Sequence, residues 1–456
     1  MRITIPTRAN ARILGIGILA GIFAVGSASA VTLQTLYPAS TPLSSLVAAP
    51  DGNLYGTSRY GGTYDLGTVF KISTTGAYQE IFSFTGGGIG SHPNAGLTLG
   101  PDGQLYGTTR YGGIQNAGLV FKITTSGSFT SLHLLVHSTE GAEPVGGLVV
   151  GTNGMLYGTA SCGGALGFGS VFQITTNGSL TVLRSFTGSD GNGPVTTLAV
   201  GADGLLYGTT QYGGTDDGGT VFKVSTGGTF TSLFSFHNTD GAYPTSALVQ
   251  GADNALYGTT EYGGANGFGS IFRITPGGTF NSLHSMFAED SGSNPIGGLV
   301  LGPDDDLYGS TVHGGTNGFG CIFRATTSSG YSAVYHFSGF DDGGGPLTSF
   351  ARGKDGNYYG TTSFAGQGGG GTFYRLALAP FVEQFKLSPD KSLVQMSGIG
   401  GTPNSQYLIL TTTNAAALRV NWDPLALRFF DESGRFNFTN SVNKQEQRRF
   451  YLLRQL

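Results

Sequence analysis

Charge is scarce in this chain: 11% of its 456 residues are Asp, Glu, Lys or Arg, and the acidic ones outnumber the basic ones 27 to 23. Three of the basic residues, Arg2, Arg8 and Arg12, sit at the very start, so the remainder carries 20 basic against 27 acidic side chains. That balance excludes the basic footprint of a nucleic-acid binder. Two cysteines, Cys162 and Cys321, are too few for a disulfide framework, and they occupy different positions of the repeat described below, so no bridge between them is expected. No Gly-x-Ser-x-Gly elbow and no His-Glu-x-x-His pair occurs, and no Lys-Ser/Thr follows the glycine runs at 86–88 and 368–371. The marks of a serine hydrolase, a zinc protease and a phosphate loop are therefore missing. Of the seven histidines only His133 and His137 share a spacing that puts both on one strand face, and no third ligand stands near them, so neither metal nor cofactor is implied. Long apolar runs are lacking too. The uncharged stretch Ile13–Val25 falls short of the roughly 20 residues a membrane helix needs.

That stretch lies between the three arginines and Ala28-Ser29-Ala30, the basic, apolar, small-residue order of a secretory signal. Residues 1–30 are expected to be a signal peptide, with a start-anchor helix as the alternative. The mature chain of 426 residues is then exported, secreted or held at the cell surface, and the polar end Arg454-Gln455-Leu456 gives no second membrane segment.

What the chain has in abundance is glycine, 80 residues of it, and the glycines recur at fixed places. Leu-Tyr-Gly-Thr or a close variant returns at Leu54, Leu105, Leu156, Leu206, Leu256, Leu307 and Tyr358, at intervals of 50 or 51 residues. A period of that length marks stacked supersecondary units, each too small to bury its apolar face alone. The unit reads as four short strands. An apolar run such as Ala247–Val249 turns through Asp253-Asn254 (elsewhere Asp-Gly or Asn-Gly) into Leu256–Thr259, a tight hairpin. A glycine-rich loop leads to Ile271–Ile274, counterpart of Val69–Ile72 and Val221–Val224, and a last strand is typified by Leu233–Phe236.

Strands that are antiparallel, short and apolar on both faces need a neighbouring sheet on each side. Radial repetition supplies one, so the expectation is an all-β, seven-bladed β-propeller over residues 31–378; a β-helix is the weaker alternative. Repeat seven stops after its third strand, whereas Thr32–Leu36 aligns with the last strand Ser232–Phe236. The spacings of Pro42, Leu46 and Asp51 match those of Pro244, Leu248 and Asp253. The N-terminal strand is thus expected to complete the last blade, leaving no open edge.

On the Pro-x-x-x-Leu, Asp-Gly-x-Leu-Tyr-Gly-Thr-Thr, Gly-Gly and Gly-Thr-Val-Phe-Lys-Ile elements, seen in Pro194–Leu198 and Asp203–Val224, the chain resembles the GloVer-type (Gloeo/Verruco) extracellular tandem repeats of the choice-of-anchor group. The resemblance implies an exported, cell-surface protein with no established activity. Members often carry a C-terminal sorting tail, which is not expected here. Residues 379–456 hold several short alternating runs and the single Trp422, read as a small β-sandwich-like module. The pattern from Gly401-Thr402-Pro403 through Tyr407, Trp422, Gly434-Arg435-Phe436 and Arg449-Phe450-Tyr451 resembles a terminal module of secreted proteins from related bacteria.

In a propeller the loops joining second to third strands, and fourth strand to the next blade, emerge on one face. The first set carries Tyr60, Tyr111, Cys162, Tyr212, Tyr262, His313 and Phe364, and the second Glu140, Asp190, Asp240, Asp290 and Asp342. Aromatics can stack on sugar rings, and carboxylates can hold hydroxyls or Ca²⁺; the structural reading is that Asp before Gly makes turns and repeated Tyr packs blades. Candidate ligand-binding residues are Tyr60, Tyr111, Tyr212, Tyr262, His313, Asp190 and Asp240, with His313, Cys162 and Glu261 marked as departures from the repeat. Lys71, Lys122, Lys223, Arg273, Arg324 and Arg375 form a third ring, read as aliphatic stems covering strands. The innermost strands offer small residues (Ser44-Ser45, Gly146-Gly147, Thr196-Thr197, Gly297-Gly298) and no convergent acids or bases, which lowers the case for catalysis and leaves no catalytic residue assigned. Two functions stay open: a non-enzymatic binding scaffold for polysaccharide or an envelope or secreted protein, and a carbohydrate-active enzyme using Glu140, Glu143, Asp190 or Asp240.

Overall fold

The computed structural model describes residues 31–39, 44–289, 291–302, 304–378, 381–387, 393–399, 406–412, 423–429, 431, 435–441 and 450–455. The expected signal at 1–30, the Pro42 spacing, Asp290, Trp422 and the Gly401-Thr402-Pro403 element lie outside the described residues.

Seven four-stranded sheets follow one another along the chain, the first six antiparallel and built in sequence order from the innermost strand outward. Blade one consists of Val47–Ala48, Leu54–Ser58, Thr68–Ile72 and Tyr78–Ser83, and blade four of Ala199–Val200, Leu206–Thr210, Thr220–Val224 and Phe230–Ser235. Blade seven takes Ala351–Arg352, Tyr358–Thr361 and Thr372–Ala377 from the end of the repeats, and Thr32–Pro38 as its outer strand. The protein is a seven-bladed β-propeller closed by its N-terminal strand. Closure is visible in the packing as well. Tyr37 stacks on Tyr78 of blade one at 4.5 Å, in the place where Phe82 stacks on Phe129 at 4.4 Å and Phe234 on Phe280 at 4.0 Å between ordinary blades.

The repeated phrase is explained residue by residue. In blade four, Leu206 packs with Tyr157, Phe186 and Phe222 in the core between blades three and four. The buried Tyr207 hydroxyl donates to the Asp203 carboxylate at 2.7 Å, as Tyr55 does to Asp51 and Tyr106 to Asp102. Gly208 pairs with Phe222 on the third strand, and a Cβ there would come within 2.5 Å of the Phe222 ring; only the missing side chain lets the phenyl lie across the strand. Thr209 reaches the next blade, Oγ1 donating to the Pro244 carbonyl, as Thr57 does to Ala95 and Thr259 to Pro295.

Near the axis the innermost strands approach so closely that a Cβ on Gly96 or Gly146 would fall within 2.5 Å of the Ser45 or Thr196 carbonyl oxygen. The small residues seen in the sequence are thus a packing requirement. The basic ring serves the blades: Lys223 Nζ donates to the Pro276 carbonyl at 2.8 Å, Arg273 pairs with Asp253 at 2.7 Å and Arg375 donates to Gln34 at 2.6 Å.

Two compact units are present, one of Gln34–Ala351 with Tyr359–Arg375 and one that includes Leu376–Leu456. In the second, Phe381–Leu387, Leu393–Ile399 and Phe436–Ser441 form one antiparallel sheet, and Asp423–Phe429, Gln406–Thr412 and Phe450–Gln455 another. Alternate residues Val394, Met396, Phe436 and Phe438 of the first sheet and Tyr407 and Ile409 of the second are buried, and Tyr407 packs on Phe436 at 5.6 Å. This is the expected small sandwich.

Gly208→Ala is expected to cost about 1–3 kcal/mol, the range for overpacking a tight core, read as a lower urea midpoint at unchanged slope. Acid should act through the turn carboxylates. Burial alone would raise the pKa of Asp51 and Asp102, but hydrogen bonds, led by Asn53 and Tyr55 for Asp51 and by Tyr106 for Asp102, outweigh it and hold both below the ordinary carboxylate range. A depressed folded pKa contributes stability above the unfolded value of about 3.9, lost as pH falls through the folded value. Melting temperature should therefore drop below about pH 4, less steeply in Asp51→Asn with Asp102→Asn.

Candidate functional site

In five blades the last residue of the second strand aims the loop that follows. Thr109, Thr210, Thr260 and Thr311 donate their hydroxyls to the carbonyls of Tyr111, Tyr212, Tyr262 and His313, at 2.9, 2.9, 3.0 and 3.2 Å, and Ser58 does the same to Tyr60 at 2.8 Å. The aromatic position is then stitched by a pair of backbone hydrogen bonds to the loop arriving from the preceding blade. Ser91 bridges Tyr111, Ala142 bridges Cys162, Asn192 bridges Tyr212, Ala242 bridges Tyr262, Ser293 bridges His313 and Gly344 bridges Phe364. The two loop sets do emerge together, as expected.

Directly after each bridge, and directly before a proline, stands a residue in the left-handed region: His92 (φ 53°), Glu143 (53°), Gly193 (65°), Tyr243 (56°), Asn294 (56°) and Gly345 (61°). Two backbone hydrogen bonds hold each of them; the Tyr243 N–H donates to Gly218 O, and Tyr243 O accepts from Glu261 N. A bulky side chain at positive φ is uncommon, and such strain concentrates where side chains are used. Sequence reasoning named Glu143 as a candidate acid but missed the position it shares with the others, because a single residue before proline reads as the start of an extended segment. The available signal was that its identity changes from blade to blade.

These side chains slot between the predicted aromatics. His92 lies edge-on to Tyr60 at 5.5 Å and to Tyr111 at 5.7 Å. Tyr243 lies edge-on to Tyr212 at 5.2 Å and to Tyr262 at 6.0 Å. The predicted tyrosines are thus brought together two by two; each ring packs on the residue between, while Tyr60, Tyr212 and Tyr262 still remain 39%, 39% and 45% exposed. His313 is exposed and joined to its neighbour only through backbone. Glu261 stands between the Tyr243 and Tyr262 segments, where burial raises its pKa and the Tyr262 hydroxyl partly offsets the shift. The Cys162 thiol is likewise pushed up, by burial first and then by Glu143.

The acidic ring is mostly engaged in its own turns. Glu140 accepts from Val136 N at 2.9 Å and meets His133 Nε2 at 2.9 Å. Asp190 accepts from Thr187 N and pairs with Arg184. Asp342 accepts from Ser338 N and from the Tyr335 hydroxyl. Asp240 uses its carbonyl, which accepts from Ser270 Oγ at 2.9 Å. Asp190 is therefore held to its own turn and strand rather than drawn into the tyrosine cluster. His133 and His137 do not act as a pair, since His133 turns to Glu140. Among the described residues no three His, Cys, Asp or Glu side chains converge on a point that could hold a metal.

The repeat phrase, now tied to its structural duties, matches one family model three times over, at residues 22–151, 135–302 and 277–398. The chain belongs to the Gloeobacter/Verrucomicrobia repeat family. No curated relative matches it. Solved structures resemble this family member in fold. The extracellular domain assigned to a hybrid two-component system of B. thetaiotaomicron is 10% identical with a TM-score of 0.52, covering 92% of this chain and 57% of its own. A copper-bound fungal alcohol oxidase is 12% identical with a TM-score of 0.51, over 91% and 93%. A gluconolactonase from Xanthomonas campestris is 13% identical with a TM-score of 0.43, over 77% and 92%. At these identities the likeness concerns the propeller and says nothing of chemistry.

Because blades three and six already carry glycine at the left-handed position, Tyr243→Gly should keep the fold. It should leave thermal stability unchanged or higher by up to about 1–2 kcal/mol of relieved strain, while removing the centre of the tyrosine cluster. A large loss of stability would show instead that the ring holds blades four and five together.

Proposed function

We propose that this repeat-family protein is a non-enzymatic scaffold whose loop face binds polysaccharide. The observation that carries the reading is the pair of exposed rings Tyr212 and Tyr262 with the half-buried Tyr243 between them and the Glu261 carboxyl beside them. Stacked or edge-on aromatic platforms suit the apolar faces of sugar rings, and a neighbouring carboxyl suits their hydroxyls. The recurrence of the same position around the propeller supports weak contacts repeated along a polymer. Export through residues 1–30 and a secreted or cell-surface location belong to the same proposal. No helix among the described residues is long and apolar enough to cross a membrane.

The enzymatic reading has a specific difficulty. Of its four candidate acids three are engaged, Glu140 with His133, Glu143 with Arg110 at 2.7 Å and Asp190 with Arg184, which leaves Asp240 without a second acid to work with. A general acid or base is ordinarily free to meet its substrate.

Tyr212→Ala with Tyr262→Ala should reduce retention on neutral polysaccharide affinity gels by about tenfold or more, as loss of aromatic anchors does, with the melting temperature kept. Incubation with the same polymers should release no reducing ends. Chain cleavage abolished by Glu140→Gln, Glu143→Gln, Asp190→Asn or Asp240→Asn would replace the scaffold with an enzyme.

A further inference from the structure

Blades one and two present a different chemistry at the same positions. The Arg59 guanidinium carbon lies 5.3 Å from the Tyr60 ring centroid, and that of Arg110 lies 5.1 Å from the Tyr111 centroid. His92 sits between the two tyrosines. One imidazole is thus flanked by two cations. Arg59 Nε and His92 Nδ1 are both closed off from solvent, and neither has a hydrogen-bond partner. Buried polar nitrogens are ordinarily paired, so two orphans on neighbouring side chains call for an explanation.

Arg184 Nε and Arg324 Nε are unpartnered as well, and Arg375 donates to Gln34, but four other guanidiniums of the propeller reach a carboxylate. Arg110 meets Glu143, Arg184 meets Asp190, Arg273 meets Asp253 and Arg324 meets both Asp304 and Asp306. Arg59 meets no carboxylate among the described residues. The nearest acid on its own loop, Asp65, accepts the Gly61 N–H at 2.7 Å. Burial first, and then Arg59 and Arg110, hold the His92 pKa below its ordinary value, with Asp65 working the other way. An anion beside these groups would compensate the local positive field; with Nε closed off, the two terminal nitrogens of the half-buried Arg59 guanidinium are the N–H donors that would hold a planar or tetrahedral oxyanion.

We propose that Arg59 and His92 form a subsite for an oxyanion carried on the polysaccharide, a carboxylate or a sulfate ester, with Arg110 adding to the positive field. This rests on the polysaccharide reading of the loop face and names the class of polymer. Tyr60 and Tyr111 hold the same blade position as Tyr212 and Tyr262, so a chain lying on that face meets neutral aromatic platforms at blades four and five and a cationic one at blades one and two. Because the protein as a whole is acidic, attraction for a polyanion is confined to this sector.

The test measures binding of the purified full chain to polygalacturonate, dextran sulfate and uncharged dextran. One of the two polyanions should bind about tenfold more tightly than dextran, the scale of one charge-assisted hydrogen-bonded contact, and which one does identifies carboxylate or sulfate. Arg59→Gln should remove that margin while leaving dextran binding and melting temperature as they were, and Arg59→Lys, which keeps charge and stem but not the fork, should fall between. Equal binding of all three polymers, or a margin that survives Arg59→Gln, overturns the subsite. If Arg59→Gln lowers the melting temperature, Arg59→Lys decides by the same margin. Loss of dextran binding in the tyrosine double variant concerns the parent reading alone, so the two can fail separately.

Discussion

Full burial of the second strand is the constraint on which this propeller depends. All five residues of Leu54–Ser58, Leu105–Thr109, Leu206–Thr210 and Leu256–Thr260 are buried, so no water serves their polar groups and each partner must come from protein. The tyrosine hydroxyl finds the aspartate of the preceding turn, and the first threonine finds a carbonyl of the next blade. The last threonine finds the carbonyl of the exposed aromatic residue, and its oxygen also accepts the third-strand N–H, as Thr210 does from Thr220 and Thr260 from Ser270. One satisfaction problem, solved along five residues, joins the blades and presents the loop face. Blade three makes the link plain. Ala160 stands where the last threonine would be, and the aromatic it would have aimed is replaced by Cys162.

Repetition and variation consequently divide the labour. What recurs from blade to blade is consumed by the scaffold: the turn aspartates by tyrosines, the glycines by the aromatic rings lying over them, and the loop acids Glu140, Asp190 and Asp342 by N–H groups of their own turns. What varies stands on the loop face. The residue before the aromatic runs Arg59, Arg110, Ser161, Gln211, Glu261, Val312, Ser363, and the residue before the proline runs His92, Glu143, Gly193, Tyr243, Asn294, Gly345. Two such series side by side let one fold carry a cationic sector and an acidic aromatic sector.

The architecture was legible because its signals are local and repeated seven times. Hairpin dipeptides, strand periodicity and the truncated last repeat each follow from a few neighbouring residues. The aromatic ring was legible for the same reason. What stayed hidden depends on contacts between loops of adjacent blades about 20 residues apart, where no spacing rule applies. Glu143 beside Arg110 and His92 between two tyrosines are of this kind; Glu140 against His133 is closer in sequence but still needs the folded strand and turn. Asp190 was misleading as a binding candidate because turn chemistry and ligand chemistry ask for the same side chain, and Arg184 six residues earlier decides between them only once the strand is folded.

The left-handed residues give the strongest physical reason to regard the loop face as used. Glycine serves at Gly193 and Gly345, with the same bridge and the same following proline, so the fold requires no side chain there. His92, Glu143, Tyr243 and Asn294 nonetheless occupy that conformation at about 1–2 kcal/mol each relative to glycine. Glu143 recovers part of that cost through Arg110, and Asn294 through the Glu261 carbonyl at 3.3 Å. Among the described residues His92 and Tyr243 have ring contacts with the tyrosines on either side and no others, Tyr60, Tyr212 and Tyr262 being exposed and Tyr111 half-buried. Strain held where the scaffold accepts glycine, and repaid by contacts with the loop face, is the pattern expected of a surface whose side chains are used, as the proposed binding role requires.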